Sequence, residues 1–413
     1  MRLARLLALT CLACDPAALE TPCGDGHPHT AVTSSAPASG AAAPILVPDS
    51  KLVVHEWGTF TAVAGADGTA VNWRPLTGPS DLPSFVYDQA HPGLRGTGRA
   101  TKGQTSGNVR METPVIYFYV DEPRHVWLSV KFTGGSLTEW FPKVARFTPG
   151  ELDWGQILVL PDTPADHARM PEATAKGHYF AARETDAALV RVCSTDRDEY
   201  EKFLFYRGVG SFDLSLTARL AGTTLDLRTA GDPVPAMVFE RRGDRVGFVE
   251  TRVGKTSAIV ARPALDDDIP GVLARLEALL VADGLYPREA KAMTATWRDH
   301  WFEDGLRVFY LLPRAEIDAL LPLSINPSPT EYERTIVGRI EVITPELEAS
   351  VRRTLTAPGR DILARCKALH DRHGRFAEPA VRRVADATTD PQAHAAATRV
   401  LARIADGSCT LAE

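Results

Sequence analysis

A concentrated basic footprint is what this 413-residue sequence most plainly lacks. Its 46 lysines and arginines are outnumbered by 52 aspartates and glutamates, the net charge is −6, and no long basic run appears. Nucleic acid is therefore not an expected partner. Catalytic signatures are scarce as well. There is no GxSxG, and Ser, His and Asp fall into no nucleophile pattern. The glycine-rich GLRGTGRATKGQTSG at 93–107 carries Arg95, Arg99 and Lys102 but lacks the GK[ST] ending of a P-loop, so it reads as a surface loop. No two cysteines after Cys14 have the spacing of zinc ligands, and no repeat of solenoid type is present.

The N-terminus carries a clearer signal. Arg2 and Arg5 precede a short apolar run, Leu6 to Ala13, well below the about 20 residues a membrane span needs. A positive start followed by such a run predicts export. Cys11-Leu12-Ala13-Cys14 resembles a bacterial lipoprotein cleavage box, with Cys14 as the lipidated residue and Cys11 where the box usually holds Leu. An ordinary cleaved signal is the alternative. Residues 1–14 are thus expected to be the signal and 15–50 a disordered tether, since Thr21 to Pro48 is rich in Ala, Ser, Pro, Gly and Thr and has little to bury. The expected location is the cell envelope, with a membrane as partner through the lipid anchor. Cys23, Cys193, Cys366 and Cys409 remain, an even number suited to an oxidising compartment. Three pairings are possible. The preferred one is Cys366–Cys409, because both flank one helical segment.

The expected fold class is α+β: an antiparallel β-sandwich over 51–262, a small α/β domain over 263–357 and a helical tail over 358–413. Alternating apolar residues predict strands at Lys51–Thr61, in a hairpin over Met111–Phe132, and in a long hairpin over Gly177–Gly210. Shorter strands follow at Gln156–Leu160, Ser211–Leu220, Thr223–Arg228, Val238–Glu240 and Val246–Thr251. Asp268 is placed to cap a helix with a Val272, Leu273, Leu276, Leu279, Leu280 stripe, and Pro287 to open a second through Ala290, Met293, Trp297 and Trp301. Leu306–Leu312 and Thr335–Ile343 read as strands, and Thr344-Pro345-Glu346 as the start of a helix. Beyond Asp361, Ala- and Arg-rich helices are broken at Pro379 and Pro391.

Chemistry is expected where ionisable groups intrude on apolar strands, because an unpaired buried charge is costly. Glu56, Glu112 and Glu184 do so, as candidate catalytic carboxylates, with His55, Arg110, Arg183, Asp186 and Arg207 beside them as candidate ligand-binding groups. If those strand ends meet, paired carboxylates act as general acid and base, or His178 with carboxylates holds a divalent metal. His55 and His178 stand singly, outside any HxH or HExxH spacing. The competing reading is that Arg–Glu pairs merely satisfy each other in a core. His300 between Trp297 and Trp301 reads as packed helix surface. Trp57, Trp73, Trp127, Trp140 and Trp154 offer a sugar-stacking platform, or simply core.

The segments VHEWGTFT at 53–60, METPVIYFY at 111–119, HYFAARETDA at 178–187, KFLFYRG at 202–208 and VGRIEVITPE at 337–346 together resemble an uncharacterised family of exported bacterial proteins. The resemblance covers most of 51–350 and implies no reaction, ligand or catalytic residue. The expectation is an envelope binding or interaction protein, with a periplasmic or cell-surface hydrolase and a carbohydrate-binding module as alternatives.

Overall fold

A computed structural model describes residues 51–77, 82–95, 105–173, 178–194, 197–359 and 361–409. The expected signal, tether and Cys14 lie outside them. Asp49–Glu413 is one compact unit. It is mixed α/β, with about 40% strand and 30% helix, large sheets and a helical C-terminal region. No helix among the described residues is long and apolar enough to cross a membrane.

Strands are numbered β1 to β19 and helices α1 to α7 in chain order. The largest sheet has ten strands. From one edge it runs β15 (Arg245–Val253), β14 (Val234–Arg242), β17 (Gly305–Leu311), β19 (Glu331–Ile343) and β1 (Leu52–Gly65). It continues through β4 (Val109–Val120), β11 (Leu204–Gly210), β6 (Gly135–Phe141), β2 (Tyr87–Asp88) and β3 (His91–Arg95). A six-stranded sheet contains β10 (Glu199–Glu201), β9 (Leu189–Val192), β8 (Glu151–Leu160), β5 (Arg124–Lys131) and β18 (Leu323–Asn326), with β7 (Arg146–Thr148) paired to β8. The third sheet is β12 (Leu216–Ala221), β13 (Thr224–Thr229) and β16 (Ala258–Ala261).

β1 lies at the centre because every one of its residues is buried. A strand covered on both faces tolerates an almost continuous apolar run. Its partner β19, a strand of the expected α/β domain, runs parallel to it, Glu56 opposite Arg334 and Thr61 opposite Arg339. The expected boundary at 262/263 therefore runs through this sheet: β17 and β19 come after it and pair with β14 and β1 before it.

Two expected hairpins are not formed. Met111–Phe132 supplies β4 and β5, but β4 pairs with β1 and β11 while β5 pairs with β8 and β18, so the turn at Asp121–Pro123 carries the chain between sheets. In Gly177–Gly210 the first limb is a 3-10 turn, His178–Arg183. Tyr179 and Ala182, three apart, are its buried residues, the repeat of a 3-10 helix and not the alternation of a strand. The hairpin that does form is β9–β10, and β11 joins the large sheet.

The remaining elements follow the sequence closely. β14 and β15 pair across Gly243, which takes φ +60 in the turn. α1 (Ile269–Ala282) is capped by Asp268, whose carboxylate accepts Gly271 N–H at 2.7 Å, and buries Val272, Leu276 and Leu280. α2 (Pro287–Trp301) buries Ala290, Met293, Trp297 and Trp301. α3 (Arg314–Leu320) is short, and α4 (Pro345–Leu355) is capped by Thr344. The tail is α5 (Ile362–His373), α6 (Ala377–Ala387) and α7 (Pro391–Ala405), and Cys366 and Cys409 form a disulfide with Cα atoms 5.5 Å apart.

Candidate functional site

Side chains of β1 alternate. His55, Trp57, Thr59 and Thr61 point one way, Glu56 and Phe60 the other. His55 meets Glu289 of α2, so the first face is the one the helices cover. The neighbouring strand β4 does not keep this alternation. Val115 is opposite Trp57, but Glu112 is opposite Thr59, so two steps on β1 span three on β4. This is a β-bulge. Its extra residue is accommodated at Thr113, which has φ +48, left-handed backbone that a β-branched residue rarely adopts. Gly58 fits beneath it: a Cβ there would stand 3.0 Å from Pro114 Cα.

The bulge decides where Glu112 points. In a regular strand Glu112 would share the face of Ile116, which is opposite Glu56. Displaced by one residue, Glu112 and Arg110 face the helices instead. There they enter a polar seam between the C-terminal end of α2, the His178–Arg183 turn and the tail at Arg375. Glu112 is fully buried; it accepts from Arg375 Nη1, and Arg110 Nε lies 3.5 Å from it. Burial alone opposes its ionisation, but Arg375, Arg110 and Arg339 outweigh that and hold its carboxyl at about 2.

Around this pair the other arginines are occupied. Arg339 Nη1 donates to His300 O at 2.8 Å and Nη2 to Glu303 at 3.2 Å and Glu341 at 2.9 Å. Arg307 donates to Trp301 O at 2.5 Å and Asp304 O at 2.9 Å, and pairs with Glu341. Both thereby satisfy carbonyls at the end of α2, where a cation also complements the helix dipole. Arg375 is less fully bonded: among the described residues both its Nε and its Nη2 are buried without a hydrogen-bond partner, where Arg339 leaves only Nε so, and its Nε forms a longer ion pair with Glu303 at 3.6 Å. Arg375 also lines a cavity of about 30 Å³ with Thr77, His370 and Glu378.

His178 and His300 meet at the seam with Nε2 atoms 2.9 Å apart. Burial, reinforced by Arg375, holds the His300 imidazole down at about 4, so it is neutral at physiological pH. Among the described residues no group of three or more His, Cys, Asp or Glu is arranged to hold a metal.

The other candidates lie elsewhere. Glu56 faces the opposite side of the sheet, where it accepts from Tyr206 OH and from Arg334 Nε at 2.5 Å, while Arg334 also pairs with Asp318. Glu184 is exposed just beyond the 3-10 turn. The three carboxylates thus do not form one site, because the bulge separates two and the turn ejects the third. His55 Nδ1–H donates to Glu289 at 2.8 Å, and Glu289 also accepts from Tyr119 OH at 2.7 Å and Tyr286 N–H at 2.8 Å. Arg183 forms a two-pronged pair with Glu201, 2.8 and 2.7 Å, and Asp186 pairs with Arg288 on the surface. Arg207 is buried beside the bulge, 3.4 Å from Thr113 Oγ1. The expected tryptophan platform is not formed: only Trp127, at 45% exposure, reaches solvent, and the other six are buried.

Of the candidates read from the sequence, Arg110, Glu112 and His178 lie in this seam and Arg207 lies beside the bulge. Sequence reasoning missed Glu303, Arg339 and Arg375, and read His300 as surface. No known protein family matches the chain, and no curated protein does. The segments at 53–60, 111–119, 202–208 and 337–346 supply β1, β4, β11 and β19, which are contiguous in the ten-stranded sheet and carry Glu112, Arg207 and Arg339.

Proposed function

We propose that this is an exported, envelope-tethered binding protein whose ligand carries a small oxyanion, a carboxylate or phosphate. One observation carries the reading: Arg375 spends a single nitrogen on Glu112 and keeps two buried donors without a hydrogen-bond partner among the described residues. Buried guanidinium donors left unmade are expensive, and a planar oxyanion matches their fork. The surrounding charge agrees. Arg110, Arg307, Arg339 and Arg375 gather around the three carboxylates Glu112, Glu303 and Glu341. A strained residue beside the site is also typical of functional positions.

The scaffold under this reading is a two-sheet stack with helices on one outer face, supported by Phe60 against Phe132 and Trp140 stacked on Phe147. Export and lipidation rest on the first 14 residues and belong to the same proposal, as does membership of the uncharacterised exported family. The hydrolase alternative, with Glu56, Glu112, His178 and Glu184 as working groups, loses support, since its three carboxylates are dispersed and only His178 shares the seam of Glu112.

Calorimetric titration with sulfate, phosphate and succinate tests the binding. At least one is expected to bind with 1:1 stoichiometry. Arg375→Lys keeps the charge but not the fork and should weaken it at least tenfold. Glu112→Gln frees the guanidinium and should tighten it. No binding by any of the three, or unchanged binding in Arg375→Lys, overturns the reading.

A further inference from the structure

Trp127 is the one tryptophan of seven that reaches solvent. It lies on β5, where Val126, Leu128 and Val130 point into the protein and the indole points out. We propose that this outer face of the six-stranded sheet binds a neutral glycan chain of pyranose rings, with Trp127 as its single stacking surface. The inference does not depend on the oxyanion reading.

The register is the first support. Trp127 stands opposite Asn326 of β18 on one side and Gln156 of β8 on the other, so an amide, an indole and an amide form one row across three strands. All three side chains are exposed. Directly opposed residues of neighbouring strands share a face at about 5 Å spacing, so the row is about 10 Å long, the length of a disaccharide. A pyranose ring lays its C–H face on an indole and turns its hydroxyls to the rim, where each can donate and accept. A carboxamide also does both, and one stands on each side of the indole.

The second support is what surrounds the row. The next side chains on the same face are His125 and Ser129 of β5 and Ser324 of β18. In a chain with 24% charged residues, none of these five neighbours of Trp127 is Asp, Glu, Lys or Arg. Charges begin beyond them and pair with each other: Arg146 lies 3.3 Å from Glu151 and 3.4 Å from Asp153, and Arg191 lies 2.6 Å from Asp198. A patch of hydrogen-bonding groups without a carboxylate, ammonium or guanidinium of its own complements a neutral polyol and not an ion. A protein partner would need a contiguous apolar core. Among the described residues the other exposed large apolar side chains, Ile259, Val281 and Leu363, are on β16, α1 and α5, away from this sheet.

The full chain would be titrated by calorimetry with cellohexaose and, separately, with N-acetylchitohexaose. Acrylamide quenching would follow Trp127, since the other six tryptophans are buried. At least one glycan is expected to bind with a Kd of about 0.1–1 mM, the weak range of an unenclosed face, and to shield the quenchable indole. Trp127→Ala removes an exposed side chain and should weaken binding about tenfold or more. Gln156→Ala should weaken it about threefold. Absence of binding by both glycans overturns the proposal. So does binding that Trp127→Ala leaves unchanged, which would put the glycan elsewhere. Sulfate or phosphate binding at Arg375 should be the same in the native chain and in Trp127→Ala, so the failure of either reading leaves the other standing.

Discussion

Arg375 and Glu112 are 263 residues apart in the chain and form the ion pair that ties the helical tail to the centre of the large sheet. The carboxylate is wholly buried and the guanidinium side chain only 12% exposed. Removing one partner of such a pair leaves a charge buried without compensation, which costs about 3–5 kcal/mol. Glu112→Gln and Arg375→Gln should each lower stability in urea by that order. The double variant should recover part of the loss, because no lone charge remains. A double-mutant cycle measures the coupling, and strictly additive losses would show that the pair does not act as a unit.

The seam sets the acid limit of stability. Glu112 titrates at about 2 in the folded chain against an ordinary 4.5, so the unfolded chain takes the proton first as pH falls. Its contribution, about 3 kcal/mol, is present above pH 4.5 and lost as pH drops through 2. His300, depressed from 6.5 to about 4, acts in the same direction but earlier, between pH 6.5 and 4. His55 has the opposite sign. Burial lowers its pKa, yet Glu289 and Glu331 outweigh that and raise it. Its contribution is complete below 6.5 and is lost as pH rises through the raised value. Urea midpoints across pH 2–9 should therefore fall at both ends. Glu112→Gln should flatten the lower limb alone, and His55→Gln the upper limb alone.

The tail has a second fastening. The Cys366–Cys409 disulfide closes a loop 43 residues apart in sequence. In the chain-entropy description that stabilises the folded state by about 4 kcal/mol. Replacing both cysteines by alanine should lower stability by up to that amount. It should also expose α5 to α7 to proteolysis before the sheets, an order that limited digestion and mass spectrometry can read. Tail and sheet cleaved at equal rates would mean the disulfide does not protect the tail separately.

Much of this fold is legible as local pattern, while the site is legible only in part. Alternation marks β1 and β4, and Asp268, Pro287 and Thr344 mark their helix starts, because each signal is contained in a few neighbouring residues. Strand partners are not so contained. The Asp121–Pro123 turn is visible, but nothing nearby says that the next strand leaves the sheet. Two misreadings bear directly on the site. HYFAAR has aromatic and small residues that satisfy both a two-residue and a three-residue repeat, and the three-residue repeat prevails, with Tyr179 and Ala182 buried. Counted as an unbroken strand, β4 would put Glu112 on the face of Ile116. Pro114 was the available warning, since proline inside a central strand marks a bulge. Arg375 had no warning at all: an arginine in an Ala- and Arg-rich tail looks like every other one.

The bulge itself yields the sharpest local test. Thr113 holds φ +48 with a β-branched side chain, a conformation that costs about 1–2 kcal/mol in non-glycine residues. Glycine adopts it freely but loses more backbone entropy on folding, about 1 kcal/mol, and here also forfeits the Thr113 contact with Arg207. Thr113→Gly should therefore be close to neutral in stability, within about 1 kcal/mol of the native chain. Thr113→Val keeps the strain and removes the hydroxyl, so it should be the less stable of the two. Were the strand unbulged in solution, glycine at an ordinary strand position would be clearly destabilising and valine would be the better residue. The order of the two urea midpoints separates these cases. It also tests whether Glu112 faces the helices, because only the extra residue at Thr113 turns it that way.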